Sequence, residues 1–265
     1  MQHLWILLFL PHFCEMGFDK IIYRTRWPKY QQKKSYPNPV KPKDYCKANL
    51  CPANQEHITC SKQFWSAKCG PHHDGVDSRL CTKKIVTTLN SLRDQVTNGK
   101  TQLPEGYPMP RVAWDNELAT MAMRVTNQCN DYPVGLCANT MRYRQVGEAS
   151  DFRNRSTYLN LNMVGFLRSW FEQASKMKPS DVSSFPDLSE LDPQFIAFAN
   201  MINWKVTSFG CGMLNTSKKR FITCLFNARL KKGQGLYKLK QNENRKFDVP
   251  QIEHGRSLLA ENNNK

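Results

Sequence analysis

The sequence predicts an α+β domain: an α-β-α sandwich with a small antiparallel sheet between helical layers, and a cysteine-rich N-terminal arm ahead of it. Three observations carry this. Apolar residues recur every three or four positions through the middle of the chain, the period drops to two near the C-terminus, and four cysteines crowd a stretch with little aliphatic content. At 265 residues and 40% hydrophobic composition, the chain can build one sizeable core with extensions and need not form two full domains.

The elements follow in order. Leu4 to Leu10 is an apolar run of signal-peptide length, so residues 1–18 are expected to be a leader. No Lys or Arg precedes the run and no small-x-small site follows it, which keeps a misassigned start or an uncleaved anchor open. Residues 19–43 are basic and carry Pro28, Pro37, Pro39 and Pro42, the pattern of an extended linker. Residues 44–80 form the arm, with Cys46, Cys51, Cys60 and Cys69 among the breakers Pro52, Gly70, Pro71 and Gly75. Its order should depend on cross-links.

The main domain is expected over 81–240. A first helix starts near Ser78, buries Ile85, Val86, Leu89, Leu92 and Val96, and stops at Asn98-Gly99. A second runs from Asp115 to Cys129 on Leu118, Met121, Ala122 and Val125. The third carries Met163, Phe166, Leu167, Trp170, Ala174 and Met177 and is ended by Pro179, and a short helix surrounds Phe195, Phe198 and Ile202. Phe209, Cys211 and Met213 then alternate with glycines, and Ile222, Cys224 and Phe226 alternate in the next run, which predicts a hairpin. A turn centred between Ser217 and Lys218 sets Cys211 opposite Cys224 at a separation suited to a disulfide. The tail, 241–265, is polar and expected to be mobile.

Charge and cysteine usage bound the function. A formal net charge of +16 favours acidic partners, although it also serves plain solubility. Ten cysteines in this arrangement fit a disulfide framework in an oxidising compartment, so nucleic acid is not an expected partner. No segment after the leader has transmembrane length. No histidine occurs between His73 and His254, so a zinc hydrolase, a Ser-His-Asp triad or a Cys-His pair would need its base from the arm or the tail. His72-His73-Asp74 reads as a solvated turn, and the wide gaps between the arm cysteines lack zinc knuckles. Asn154-Arg155-Ser156 and Asn215-Thr216-Ser217 are N-glycosylation sequons in predicted loops.

Several strings then coincide in order and spacing over residues 44 to 237. Asp44-Tyr45-Cys46, Leu50-Cys51 and His57-Ile58-Thr59-Cys60 open the arm. Trp114-Asp115-Asn116-Glu117-Leu118-Ala119 starts the second helix, Asn127-Gln128-Cys129 precedes Cys137, and Val146-Gly147-Glu148 follows. Ser169-Trp170-Phe171 and Phe209-Gly210-Cys211-Gly212 complete the set. Together they resemble the CAP superfamily, in particular insect venom allergen 5 and the cysteine-rich secretory proteins, and the fold expected is the CAP-type sandwich.

The resemblance implies the pairings Cys46–Cys60, Cys51–Cys137, Cys69–Cys129 and Cys211–Cys224. Cys14 would leave with the leader, and Cys81 would remain as a buried free thiol or an intermolecular bridge on an otherwise monomeric protein. It also implies an ion-binding tetrad of two histidines and two acidic residues, which here is degenerate. The histidine positions fall at Leu89, in Leu89-Asn90-Ser91-Leu92-Arg93, and at Ala197, in Ile196-Ala197-Phe198-Ala199-Asn200-Met201-Ile202. One glutamate is kept as Glu148 and the other falls at Gln173. The adjacent Glu172 is turned about 100° around the helix. No metal, cofactor or catalytic residue is therefore expected, and Glu148 reads first as a structural acceptor. The function expected is non-enzymatic extracellular binding of a protein, lipid or acidic glycan. The alternatives are a lipid or sterol carrier, implied by the resemblance, and a binder of acidic glycans or anionic surfaces, suggested by Lys218-Lys219-Arg220 and Lys231-Lys232.

Overall fold

The computed structural model describes residues 45–46, 50–61, 63–79, 81–131, 136–157 and 161–240. The expected leader, linker and polar tail lie outside the described residues, as does Cys14.

Helix α1 (Ile58–Ser61) is a single turn in the arm, and α2 (Thr82–Thr97) is the first long helix. Ile85, Leu89, Leu92 and Val96 are buried along α2 as the spacing predicts. The helix begins later than expected. Ser78 does not cap it; its carbonyl accepts from Cys81 N and Thr82 Oγ1, making a turn that leads in, and Cys81 takes the cap position. Gly99, at φ 68°, ends the helix in a conformation that costs glycine little.

Helix α3 (Asn116–Thr126) is capped by Asp115, whose Oδ1 accepts from Leu118 N at 3.0 Å. Helix α4 (Met163–Phe171) is shorter than the apolar stripe that predicted it. The backbone tightens to a 3-10 turn over Glu172–Ser175, and Pro179 opens a new helix, α5 (Pro179–Ser183), where its missing N–H costs nothing. Ala174 and Met177 stay buried, so the stripe marks burial and not one continuous helix. Helix α6 (Pro193–Met201) completes the set.

The sheet contains β1 (His73–Gly75), β2 (Ala113–Trp114), β3 (Gly147–Asn154), β4 (Ser208–Thr216) and β5 (Lys219–Phe226). Its order is β1-β4-β5-β3, with β2 joining β4 in parallel. The β4–β5 register pairs Cys211 with Cys224 and Asn215 with Arg220, so the turn is centred on Ser217 and Lys218. His73 and Asp74, expected in a turn, pair instead with Thr216 and Asn215 as an edge strand.

Alternation divides the sheet into two faces. Cys211, Met213, Ile222, Cys224 and Ala149 share one core cluster with α2, α4 and α6 side chains. Leu225 packs on the opposite side with Leu118, Met121 and Val125 of α3 and with Tyr45 and Ile58 of the arm. Helices therefore cover both faces.

The structure bonds Cys46 to Cys60, Cys51 to Cys137, Cys69 to Cys129 and Cys211 to Cys224. The second and third tie the arm to the domain across 86 and 60 residues. Cys81 corrects an expectation. It is disulfide-bonded, neither a free thiol nor a spare one for a second molecule, and its partner lies outside the described residues. The odd thiol arose only because Cys14 was removed with the leader, leaving nine cysteines to pair.

Candidate functional site

The four positions at which the resemblance places the tetrad do not converge. Leu89 on α2 and Ala197 on α6 are both 0% exposed and lie in one apolar cluster with Phe166 and Trp170. Gln173 is buried in the 3-10 turn after α4, and its amide donates to Gln194 Oε1 at 3.3 Å on the first turn of α6. Ala149 of β3 joins the Leu89 cluster, and Asp151 accepts the Trp170 indole N–H at 2.9 Å on that same face. Strand alternation sends Glu148 and Ser150 to the other face. There they line a cavity of about 10 Å³, room for one water, with Val125, Thr126 and Thr223.

Glu148 is half-buried. Its Oε1 accepts from Ser150 Oγ at 2.7 Å, and Ser150 Oγ lies 2.9 Å from Thr223 Oγ1. Burial raises the carboxyl above the ordinary range, while the Ser150 hydrogen bond and the charge of Arg229 act the other way. The carboxylate thus accepts from a side-chain hydroxyl. A divalent ion needs several oxygen, nitrogen or thiolate donors around one point, and an aliphatic chain, a methyl, an amide and a carboxylate across the sheet do not provide them. The residues present do not fit a metal. His72 and His73 gain no metal role either: His73 Nδ1 lies 2.7 Å from Gly70 O, and no group of three or more potential ligands gathers among the described residues.

The rest of the Leu89 segment is intact as scaffold. Asn90 forms a two-way pair with Val112, donating to its carbonyl and accepting from its N–H, both at 2.9 Å. Arg93 is 2% exposed and donates to the carbonyls of Met201 (2.6 Å), Asn203, Pro110 and Val206. Burial lowers its guanidinium to about 10. The segment still joins α2 to the loops around β2 and α6.

Sequence reasoning passed over the arm–domain junction. His57, buried, stacks on Tyr45 with ring centroids 5.1 Å apart, places Nε2 2.8 Å from Asn139 O, and lies within 2.9 Å of Thr59 Oγ1. Tyr45 donates to Glu117 Oε1 at 2.9 Å. Burial holds the imidazole below its usual value, with the Arg124 charge adding to the effect. The signal in the sequence was His57 itself, set between two cysteines. The exposed pair Phe64-Trp65 was also missed, because exposed aromatics leave no periodic trace.

The two sequons fall in strands, not loops. Asn154 closes β3 and is exposed, whereas Asn215 sits within β4, half-buried, with Oδ1 accepting from Arg220 Nε at 2.6 Å. The hairpin turn is tighter than the polar composition of 215–219 suggested.

The profile of the CAP family, described as the cysteine-rich secretory protein family, matches residues 86–226. Among curated proteins, Tabinhibitin 3 of Tabanus yao is 27% identical over 212 residues, covering 75% of this chain and 80% of that one. Venom allergen-1 of Aedes albopictus is 30% identical over 179 residues, covering 65% of this chain and 68% of its own. Among solved structures, BmVAL-1 aligns with a TM-score of 0.50 at 21% identity over 60% of this chain and 82% of that one. NaASP2, solved with Zn2+, aligns with a TM-score of 0.50 at 16% identity over 69% and 91%. Both structural likenesses concern the fold.

Proposed function

Because the chain belongs to the CAP, or cysteine-rich secretory protein, family, we propose that it is an extracellular protein that acts by binding, without enzymatic activity and without a metal in its degenerate tetrad. The single observation that carries this reading is the burial of Leu89 and Ala197 together in apolar core, at the two positions where the resemblance expects imidazoles. Refilling that volume with water and an ion would open core packing that now excludes solvent. In this proposal residues 1–18 serve as leader, 19–43 as linker and 241–265 as tail, and Asn154 is the glycan acceptor of the two sequons.

Native mass spectrometry of the secreted protein tests it. The expected species is a monomer free of metal and small ligands, with sugar at Asn154 and none at Asn215. A stoichiometric ion, or metal-dependent hydrolysis by pure protein, would overturn it.

A second reading, recognition of acidic glycans, is favoured by the +16 charge and by the exposed Lys218 at the β4–β5 turn.

A further inference from the structure

We infer that Phe64 and Trp65, with the cations around them, form a docking site for an acidic polysaccharide chain. This rests on the extracellular-binding reading but not on the state of the tetrad. Phe64 is 47% and Trp65 36% exposed, and their rings meet edge to face at 5.0 Å. The segment is held firmly. Ser66 N donates to Asn127 O at 3.0 Å, Gln128 Nε2 donates to Gln63 O at 3.1 Å, and the Cys69–Cys129 bridge closes it against the end of α3. Two large aromatics fixed in solvent present apolar area at little further entropic cost on binding.

A cation and an imidazole lie against the rings. The Arg124 guanidinium lies 4.8 Å from the Phe64 centroid, and the His73 ring meets Trp65 at 4.5 Å. Lys68, exposed, reaches Asn130 Oδ1 at 3.1 Å. Pairing of His73 with Thr216 sets this group beside the β4–β5 turn and its exposed Lys218. Of the acids nearby, Asp131 is paired with Lys219 at 2.6 Å, and Asp74 on β1 is exposed.

Rings and positive charges alternating at the surface match a ligand that alternates sugar faces with sulfates or carboxylates: pyranose C–H groups lie on aromatic faces while anions meet the cations. A bilayer calls for a different layout, with an apolar tip that enters first and cations held back at its base. Here the Arg124 guanidinium sits against the Phe64 ring itself and Lys68 stands in the same segment, so the polysaccharide fits better.

The test is binding of a heparin octasaccharide by calorimetry across 50 to 300 mM salt, on the full secreted chain. Phe64→Ala/Trp65→Ala should weaken binding at least tenfold with unchanged circular dichroism, since both side chains are exposed. Lys68→Gln/Lys218→Gln should weaken it and flatten the salt dependence. Lys231→Gln/Lys232→Gln, an equal charge loss beyond the far end of β5, should change it less than twofold. Equal weakening by both lysine pairs, no effect of the aromatic pair, no binding by the wild type, or binding of the aromatic pair to anionic vesicles alone would each overturn the site. None of these results bears on the degenerate tetrad, whose failure would be read from metal content instead.

Discussion

At the scale of single residues, three groups carry testable consequences. Glu148 has a folded-state acidity weakened by burial, so the neutral acid suits the fold better than the carboxylate. The stability linked to this group is full below the unfolded value near 4.5 and is lost as pH rises through the raised folded value. Glu148→Gln should therefore unfold at a higher temperature than wild type at pH 7, and the difference should vanish below about pH 4. His57 behaves in the opposite sense. Its imidazole is held neutral in the fold, so stability present at pH 7.5 is lost as pH falls below about 6.5, where the unfolded chain takes up the proton. Limited proteolysis between pH 7.5 and 5 should show the arm becoming cleavable, and His57→Gln should flatten that profile. Arg93 serves four carbonyls from a buried position, so Arg93→Ala should cost at least about 3 kcal/mol in denaturant unfolding. That Leu89 and Ala197 stand where the resemblance expects imidazoles was legible in the sequence. That Glu148 faces away from them was not, because a strand side chain's face depends on register and the sequence gives no register for β3.

At the scale of elements, α3 approaches the sheet closely because Gly210 and Gly212 have no side chains. A Cβ on Gly212 would come within 2.5 Å of the Met123 backbone, and one on Gly210 would collide with the backbone of Ala119. Gly212→Ala should destabilise by about 1–3 kcal/mol, because neither backbone can give way like a flexible side chain, and a melting series checks it. The hairpin was readable to the residue, since polar turn and alternating runs on both sides fix one register. Strand β3 was not: Gly-Glu-Ala-Ser-Asp-Phe-Arg-Asn has no β-branched residue, and its pairing with β5 comes from tertiary context. The third helix was read too long because burial at three- and four-residue spacing persists through a 3-10 turn and past Pro179.

For the whole molecule, the cross-links do what the arm's composition cannot. The Cys51–Cys137 and Cys69–Cys129 bridges each close a long loop, and Cys69→Ala/Cys129→Ala should lower stability by about 2–4 kcal/mol. Since Cys81 is bonded in the full chain, alkylation of the unreduced full-length protein should label no cysteine, whereas loss of residues 1–18 takes Cys14 away and leaves Cys81 open to labelling; labelling at Cys81 in the full-length protein would contradict the pairing. Asn90, Arg93 and the glycine-bearing hairpin hold the scaffold together without any contribution from Leu89, Glu148, Gln173 and Ala197 as ligands. The most direct measurement is a zinc titration of the purified protein by calorimetry at neutral pH. No stoichiometric binding is predicted, either for wild type or for Glu148→Gln. One tightly bound zinc per chain, lost in Glu148→Gln, would contradict the account.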